Sequence, residues 1–129
     1  MGYDFMLEKA KVKQGTRFPA DFEAVEIGEG DFPLEDLKGY ILERGGVTSK
    51  SFSSNPDSVR LEWEIPDKGS ISVDVNRDYA SLDMHAEWSV VLELLIWIRE
   101  RDPDVLLADT NVGKYHDVDS FRKLVNTEQ

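Results

Sequence analysis

The chain is 129 residues long, enough for one domain and too short for two of ordinary size. It has no cysteine, which excludes disulfide frameworks, thiolate zinc sites, iron–sulfur clusters and cysteine nucleophiles. Its 26 acidic residues against 15 basic ones give a net charge of −11, a balance that opposes direct binding to nucleic acid or anionic membrane and permits a basic protein partner.

Tyr3, Phe5 and Leu7 alternate with Asp4, Met6 and Glu8, which predicts a strand at the N-terminal end. Residues 1–13 contain no apolar stretch of the signal-peptide kind, and Met6 stands where a myristoylation motif requires Ser or Thr. Residues 9–20 are basic and turn-prone, with Lys9, Lys11, Lys13 and Arg17 placed around Gly15 and Pro19. The sign then reverses. Asp21, Glu23, Glu26, Glu29, Asp31, Glu35 and Asp36 fall in the stretch 21–36, which has no base. Phe22, Val25 and Ile27 within it suit either a strand or a short helix.

Asp31 and Pro33 open a predicted helix through about Arg44, with Leu34, Leu37 and Ile41 at helical spacing and Gly45-Gly46 as its stop. Residues 47–58 read as a Ser-rich connection. Val59, Leu61, Trp63 and Ile65 then alternate with Arg60, Glu62 and Glu64. After a turn at Pro66–Gly69, Ile71, Val73 and Val75 alternate with Ser72, Asp74 and Asn76, and Leu82 and Met84 with Ser81, Asp83 and His85. This is a three-stranded antiparallel meander over about 59–86 with one apolar face.

Glu87 to about Arg101 is a helix apolar on most sides, with only Ser89, Glu93 and Glu100 as a polar stripe, and is expected to be the most buried. Its run Val90–Ile98 is too short to span a bilayer, which takes about 20 residues. Asp104–Asp109 reads as a short buried strand, Lys114–His116 as a brief extension, and Asp117 as the cap of a last helix carrying Val118, Phe121, Leu124 and Val125. The pattern predicts a single α+β domain over 1–129, a mainly antiparallel sheet with helices packed on one face. A cytoplasmic, soluble protein without cofactor or metal is expected.

Most catalytic signatures are absent. There is no Gly-x-x-x-x-Gly-Lys loop, Gly-x-Gly-x-x-Gly turn or Gly-x-Ser-x-Gly elbow, and His85-Ala86-Glu87 lacks the thiolates a zinc deaminase adds to that triplet. Two constellations remain open to a site or to a structural reading. One is the outward face of the meander, with Arg60, Glu62, Glu64, Ser72, Asp74, Asp83 and His85, which an ordinary water-facing sheet also produces. The other is Asp109, Asn111, His116 and Asp117 at the end of a strand, where turn and cap preferences account for all but His116. Trp63, Trp88 and Trp97 fall on apolar faces and read as core. In the acid run, Glu35 and Asp36 suit the N-terminal end of their helix, which leaves Asp21, Glu23, Glu26 and Glu29 as a candidate patch for a basic partner.

The N-terminal strand GYDFMLEK, the late Trp-containing apolar helix and the ending LLADTNVGKYHDVDSF resemble small uncharacterised bacterial proteins, some of them immunity proteins of toxin–immunity pairs. That resemblance covers residues 2–8 and roughly 88–121. It implies a non-enzymatic role, binding a basic, nuclease-like toxin and blocking its active site. The alternative is a metal-dependent or acid–base enzyme using Asp109, His116 and Asp117, or Asp83 and His85.

Overall fold

A computed structural model of the chain describes residues 3–49 and 58–128. In chain order the described elements are β1 (Tyr3–Lys11), β2 (Ala20–Asp21), a single 3-10 turn (Phe22–Ala24), β3 (Glu26–Ile27), α1 (Leu34–Glu43), β4 (Val47–Ser49), β5 (Val59–Ile65), β6 (Gly69–Val75), β7 (Tyr79–Ala86), α2 (Trp88–Arg101), β8 (Val105–Asp109), β9 (Lys114–His116) and α3 (Val118–Glu128). The strands form one antiparallel sheet in the order β2-β9-β8-β1-β7-β6-β5-β4, and β3 pairs with the end of β1. The architecture is α+β, as the hydrophobic pattern predicts.

Alternation decides the two faces. Phe5, Leu7, Leu61, Trp63, Ile71, Val73, Leu82, Met84, Val105 and Leu107 point to one side and meet the apolar stripes of α1, α2 and α3 in the main core. The meander β5–β6–β7 pairs in register from Val59↔Val75 to Ile65↔Gly69 and from Gly69↔Ala86 to Val75↔Ala80. Helix α2 buries Val90, Val91, Leu94, Leu95 and Ile98, whereas Trp88 and Trp97 pack only partly covered at the edge of the core, and Trp63 is buried.

The stretch 9–30 settles as a strap. The chain leaves β1, makes the edge strand β2 against β9, takes its 3-10 turn, and returns as β3 beside Ala10 and Lys11. Ala20, Val25 and the partly buried Phe18 and Phe22 pack on Ala10, Leu106, Ala108 and Tyr115. Those residues alternate with the main-core positions of β1 and β8, so the strap covers the sheet face opposite the helices. Residues 21–27 of the acid run are therefore neither one strand nor one helix but a succession of very short pieces of both, and its last acids, Glu35 and Asp36, lie in the first turn of α1.

One expectation is corrected. Val47–Ser49 does not belong to a connection; it pairs with β5 as Val47↔Glu62, Thr48↔Leu61 and Ser49↔Arg60, and forms the far edge of the sheet. Backbone pairing to a long neighbour suffices to hold a strand whose own three side chains are all exposed. The remainder of the Ser-rich stretch, 50–57, lies outside the described residues.

Two glycines carry distinct constraints. Gly45 sits at φ 95° with open space around its Cα; its N–H donates to the Leu42 carbonyl and that of Gly46 to Ile41, the paired bonds of a Schellman stop. Gly69, at φ 109°, lies so close to β7 that a Cβ would stand 2.2 Å from the His85 carbonyl oxygen. Gly45→Ala is expected to cost about 1–2 kcal/mol, the left-handed penalty alone, and Gly69→Ala about 3 kcal/mol or more because crowding adds to it. Urea denaturation of the two variants measures both; equal losses would show that the approach of β7 to the turn is not tight.

Candidate functional site

The polar cluster of residues 109–117 is built where β8 ends. Asp109 is 2% exposed at the last position of that strand. Tyr3 donates its hydroxyl to Asp109 Oδ2 at 2.8 Å, and the Asn111 backbone N–H donates to Oδ1 at 3.1 Å. The following turn is fixed to β1: Asp4 N–H donates to Asn111 Oδ1 at 3.3 Å and Thr110 Oγ1 donates to the Asp4 carbonyl at 3.0 Å. Gly113 completes it at φ 72°.

His116, 4% exposed, lies on the helix side of β9 because it is paired with Leu107. Its Nδ1 is 2.9 Å from Ser120 Oγ, and its ring packs edge-on against Phe121 at 5.8 Å between centroids. Asp117 caps α3 by accepting from Ser120 N–H at 2.9 Å. Burial pushes the His116 imidazole below its ordinary value of 6.5, against the opposing pull of the Asp109 and Asp117 carboxylates. Ser120 is the partner that sequence reasoning did not name; its i+4 spacing from His116 at a helix start was the available signal.

The four candidates are thus neighbours, but the two most reactive are enclosed, with both Asp109 oxygens and His116 Nδ1 engaged within the fold. A general base must reach the proton it removes, and neither Asp109 nor His116 presents more than a trace of surface. Among the described residues no three His, Asp or Glu side chains are gathered as a metal would require. The arrangement ties β1, β8, β9 and α3 together.

The outward sheet face has the opposite character. Arg60 donates from Nε to Glu62 Oε1 at 2.9 Å and from a terminal nitrogen to Asp74 Oδ2 at 2.8 Å, while Ser72 Oγ donates to Glu62 Oε2 at 2.6 Å. The Ser72 hydroxyl, with Arg60 behind it, holds the Glu62 carboxyl below its ordinary range against a smaller effect of burial. His85 Nε2 lies 3.5 Å from Asp83 Oδ1, both about half exposed. Asp4 and Asp83 stand directly opposite one another on β1 and β7. Five carboxylates (Asp4, Glu62, Glu64, Asp74, Asp83) share the charged outward positions of β5–β7 and the start of β1 with one guanidinium, and two of the five are bound to it.

The strap adds to the same side of the molecule. Asp21 pairs with Lys114, and Glu26 is aligned with Lys11 across β3 and β1. Glu23 and Glu29 are exposed, beside Ile27, which is 77% exposed. Underneath, Tyr115 donates its hydroxyl to Glu8, and burial, followed by that carboxylate, pushes the phenol above its ordinary range.

The chain matches no family model, and comparison with the curated proteins and with solved structures finds no match. No helix among the described residues is long and apolar enough to cross a membrane.

Because the native imidazole is held below 6.5, the unfolded chain takes up the proton first. The His116 contribution is therefore complete above pH 6.5, and stability falls as pH drops below it until the native ring also titrates. His116→Gln removes that slope, so the stability gap between wild type and variant should narrow on going from about pH 7.5 to about pH 5.5. Denaturation curves at both values check this; a gap unchanged by pH would mean that the ring is not held neutral by its surroundings.

Proposed function

We propose that the protein is a small acidic binding protein of the immunity type, which docks a basic, nuclease-like partner on the sheet face turned away from the helices. The observation that carries this reading is a carboxylate surface with no Lys or Arg paired to it among the described residues: Asp4, Glu64 and Asp83 on the open strands, Asp83 with only His85 beside it, and Glu23 and Glu29 on the adjoining strap. Like charges placed directly opposite on neighbouring strands disfavour folding, so the Asp4–Asp83 pair is an arrangement that an incoming cation relieves. Ile27 and Val112, 77% and 59% exposed, supply apolar contact beside the charges. A surface of this composition steers a cationic partner from a distance and anchors it on arrival. The Asp109/His116 cluster favours binding over acid–base chemistry because both side chains are almost wholly buried, out of a substrate's reach.

Charge reversal separates the two parts of the surface. With the basic protein recovered by pulldown on this chain as partner, Glu23→Lys/Glu29→Lys and Asp83→Lys are each expected to slow association about tenfold at low salt while leaving dissociation less affected. Raising ionic strength from about 0.02 to about 0.3 M should slow wild-type association as well. Stopped-flow kinetics reads both effects; salt-insensitive association, or wild-type rates in both variants, would remove this face from the interaction.

A further inference from the structure

A cleft of about 320 Å³ opens where the C-terminal end of α1, the β5–β6 hairpin and the first turns of α2 come together. Its floor is aromatic and aliphatic. Tyr40, Trp63 and Val90 line it, each nearly buried, with the Tyr40 and Trp63 rings edge to face at 6.1 Å. Trp63 is fixed by donating Nε1–H to the Arg44 carbonyl at 3.3 Å. Such a floor suits one apolar side chain, and the volume lies at the small end of ligand sites, about 300–1,000 Å³.

The charged residues that line the cleft are Arg44, Lys68 and Glu93. Two cations here stand out in a chain of net charge −11. The Arg44 guanidinium is held 3.5 Å over the Tyr40 ring and donates to the Tyr40 carbonyl at 3.0 Å, so it is preorganised. Its only ion pair among the described residues is a loose one, 3.9 Å from Glu43, with the Glu43 side chain 81% exposed. Lys68 is exposed and forms no ion pair among the described residues. Burial raises the Tyr40 hydroxyl above its ordinary value, with Arg44 lowering it and Glu93 raising it further.

This set narrows the ligand. A phosphate would meet Glu93 as well as the cations, and a nucleotide is too large for the space. A sugar would find an apolar floor with few neutral hydrogen-bonding groups. An α-amino acid presents a carboxylate, an ammonium and one side chain on a single carbon, which matches two cations, one carboxylate and an apolar floor. We propose that the cleft binds a zwitterionic α-amino acid with an apolar side chain, its carboxylate held by Lys68 and Arg44, its ammonium by Glu93, and its side chain against Trp63 and Tyr40. None of the sheet-face carboxylates takes part, so this site and the docking face stand or fall separately.

The same groups occur singly at the ends of a polypeptide, and three probes distinguish the sources. L-phenylalanine, N-acetyl-L-phenylalanine and L-phenylalaninamide are titrated by calorimetry into wild type, Lys68→Met and Glu93→Gln, with thermal melting to confirm that both surface variants are folded. The free amino acid should bind wild type best, and each blocked form about tenfold more weakly, the loss expected for one charge-assisted contact. Lys68→Met should weaken the free amino acid and the N-acetyl form while sparing the amide. Glu93→Gln should erase the preference for the free amino acid over the N-acetyl form. Absence of saturable binding by L-phenylalanine up to about 10 mM, well above the millimolar range of the weakest specific ligands, overturns the proposal. So does binding that neither variant alters, or an N-acetyl or amide form that binds as well as the free amino acid, which would assign the cleft to a chain terminus.

Discussion

The rest of the structure depends on β1 being paired on both sides. It runs between β7, from Tyr3↔Met84 to Glu8↔Tyr79, and β8, from Phe5↔Asp109 to Lys9↔Val105. Without it the β5–β7 meander and the β8–β9 hairpin would be separate sheets, each with an open edge. Its inward side chains reach β8, α2 and α3 in turn. Tyr3 bonds Asp109; Phe5 packs against Trp88 of α2 at 5.2 Å and Phe121 of α3 at 5.4 Å; Lys9 pairs with Asp102, just beyond α2, at 3.2 Å. A fully buried Phe in such a position is worth about 3–5 kcal/mol on truncation, which is a large share of the stability of a domain this size. Both ends of the chain are thus needed before any one sheet is complete.

This dependence also explains what could be read from the sequence and what could not. Elements with strict periodicity were legible: the meander from its period-two alternation, α2 from its apolar breadth, the end of α1 from Gly45-Gly46. The Asp117 cap and the Gly113 turn follow from local backbone requirements and were equally accessible. The central place of β1 was not, because its partners lie about a hundred positions away and no local pattern encodes them. The strap escaped for a different reason. Its buried members, Ala20 and Val25, are small and widely spaced, and they fill a patch made by Ala10, Leu106 and Ala108 that exists only once β1 and β8 are paired. β4 is three residues with no buried side chain, so it exists by backbone pairing alone.

The two polar constellations look alike as sequence and differ in the fold because of which face each occupies. Asp109 and His116 are on the helix side, where desolvation favours internal partners; Tyr3 and the Asn111 N–H supply them to Asp109, and Ser120 to His116 Nδ1. Such a network specifies how β1, β8, β9 and α3 register against one another more than it adds net stability, since its gain is set against the cost of burying the groups. Asp83 and His85 are on the water side, where partners are optional and the groups keep their freedom to meet another molecule.

That contrast bears on the acidity of the chain. A like-charge cross-strand pair such as Asp4–Asp83 costs at most about 1 kcal/mol, while each large side chain of the main core contributes about 1.5–3 kcal/mol. The core therefore carries the unfavourable surface without difficulty, and nothing in the packing beneath it calls for carboxylates at those positions. Serine, threonine or lysine would satisfy the same outward alternation and lower the repulsion. On the strap, the Asp21–Lys114 ion pair shows that a carboxylate can be neutralised within this fold. Among the described residues Asp4, Glu23, Glu29 and Glu64 have no Lys or Arg partner, and Asp83 has only the half-exposed His85 beside it. Their acidity is therefore no demand of the packing beneath that face.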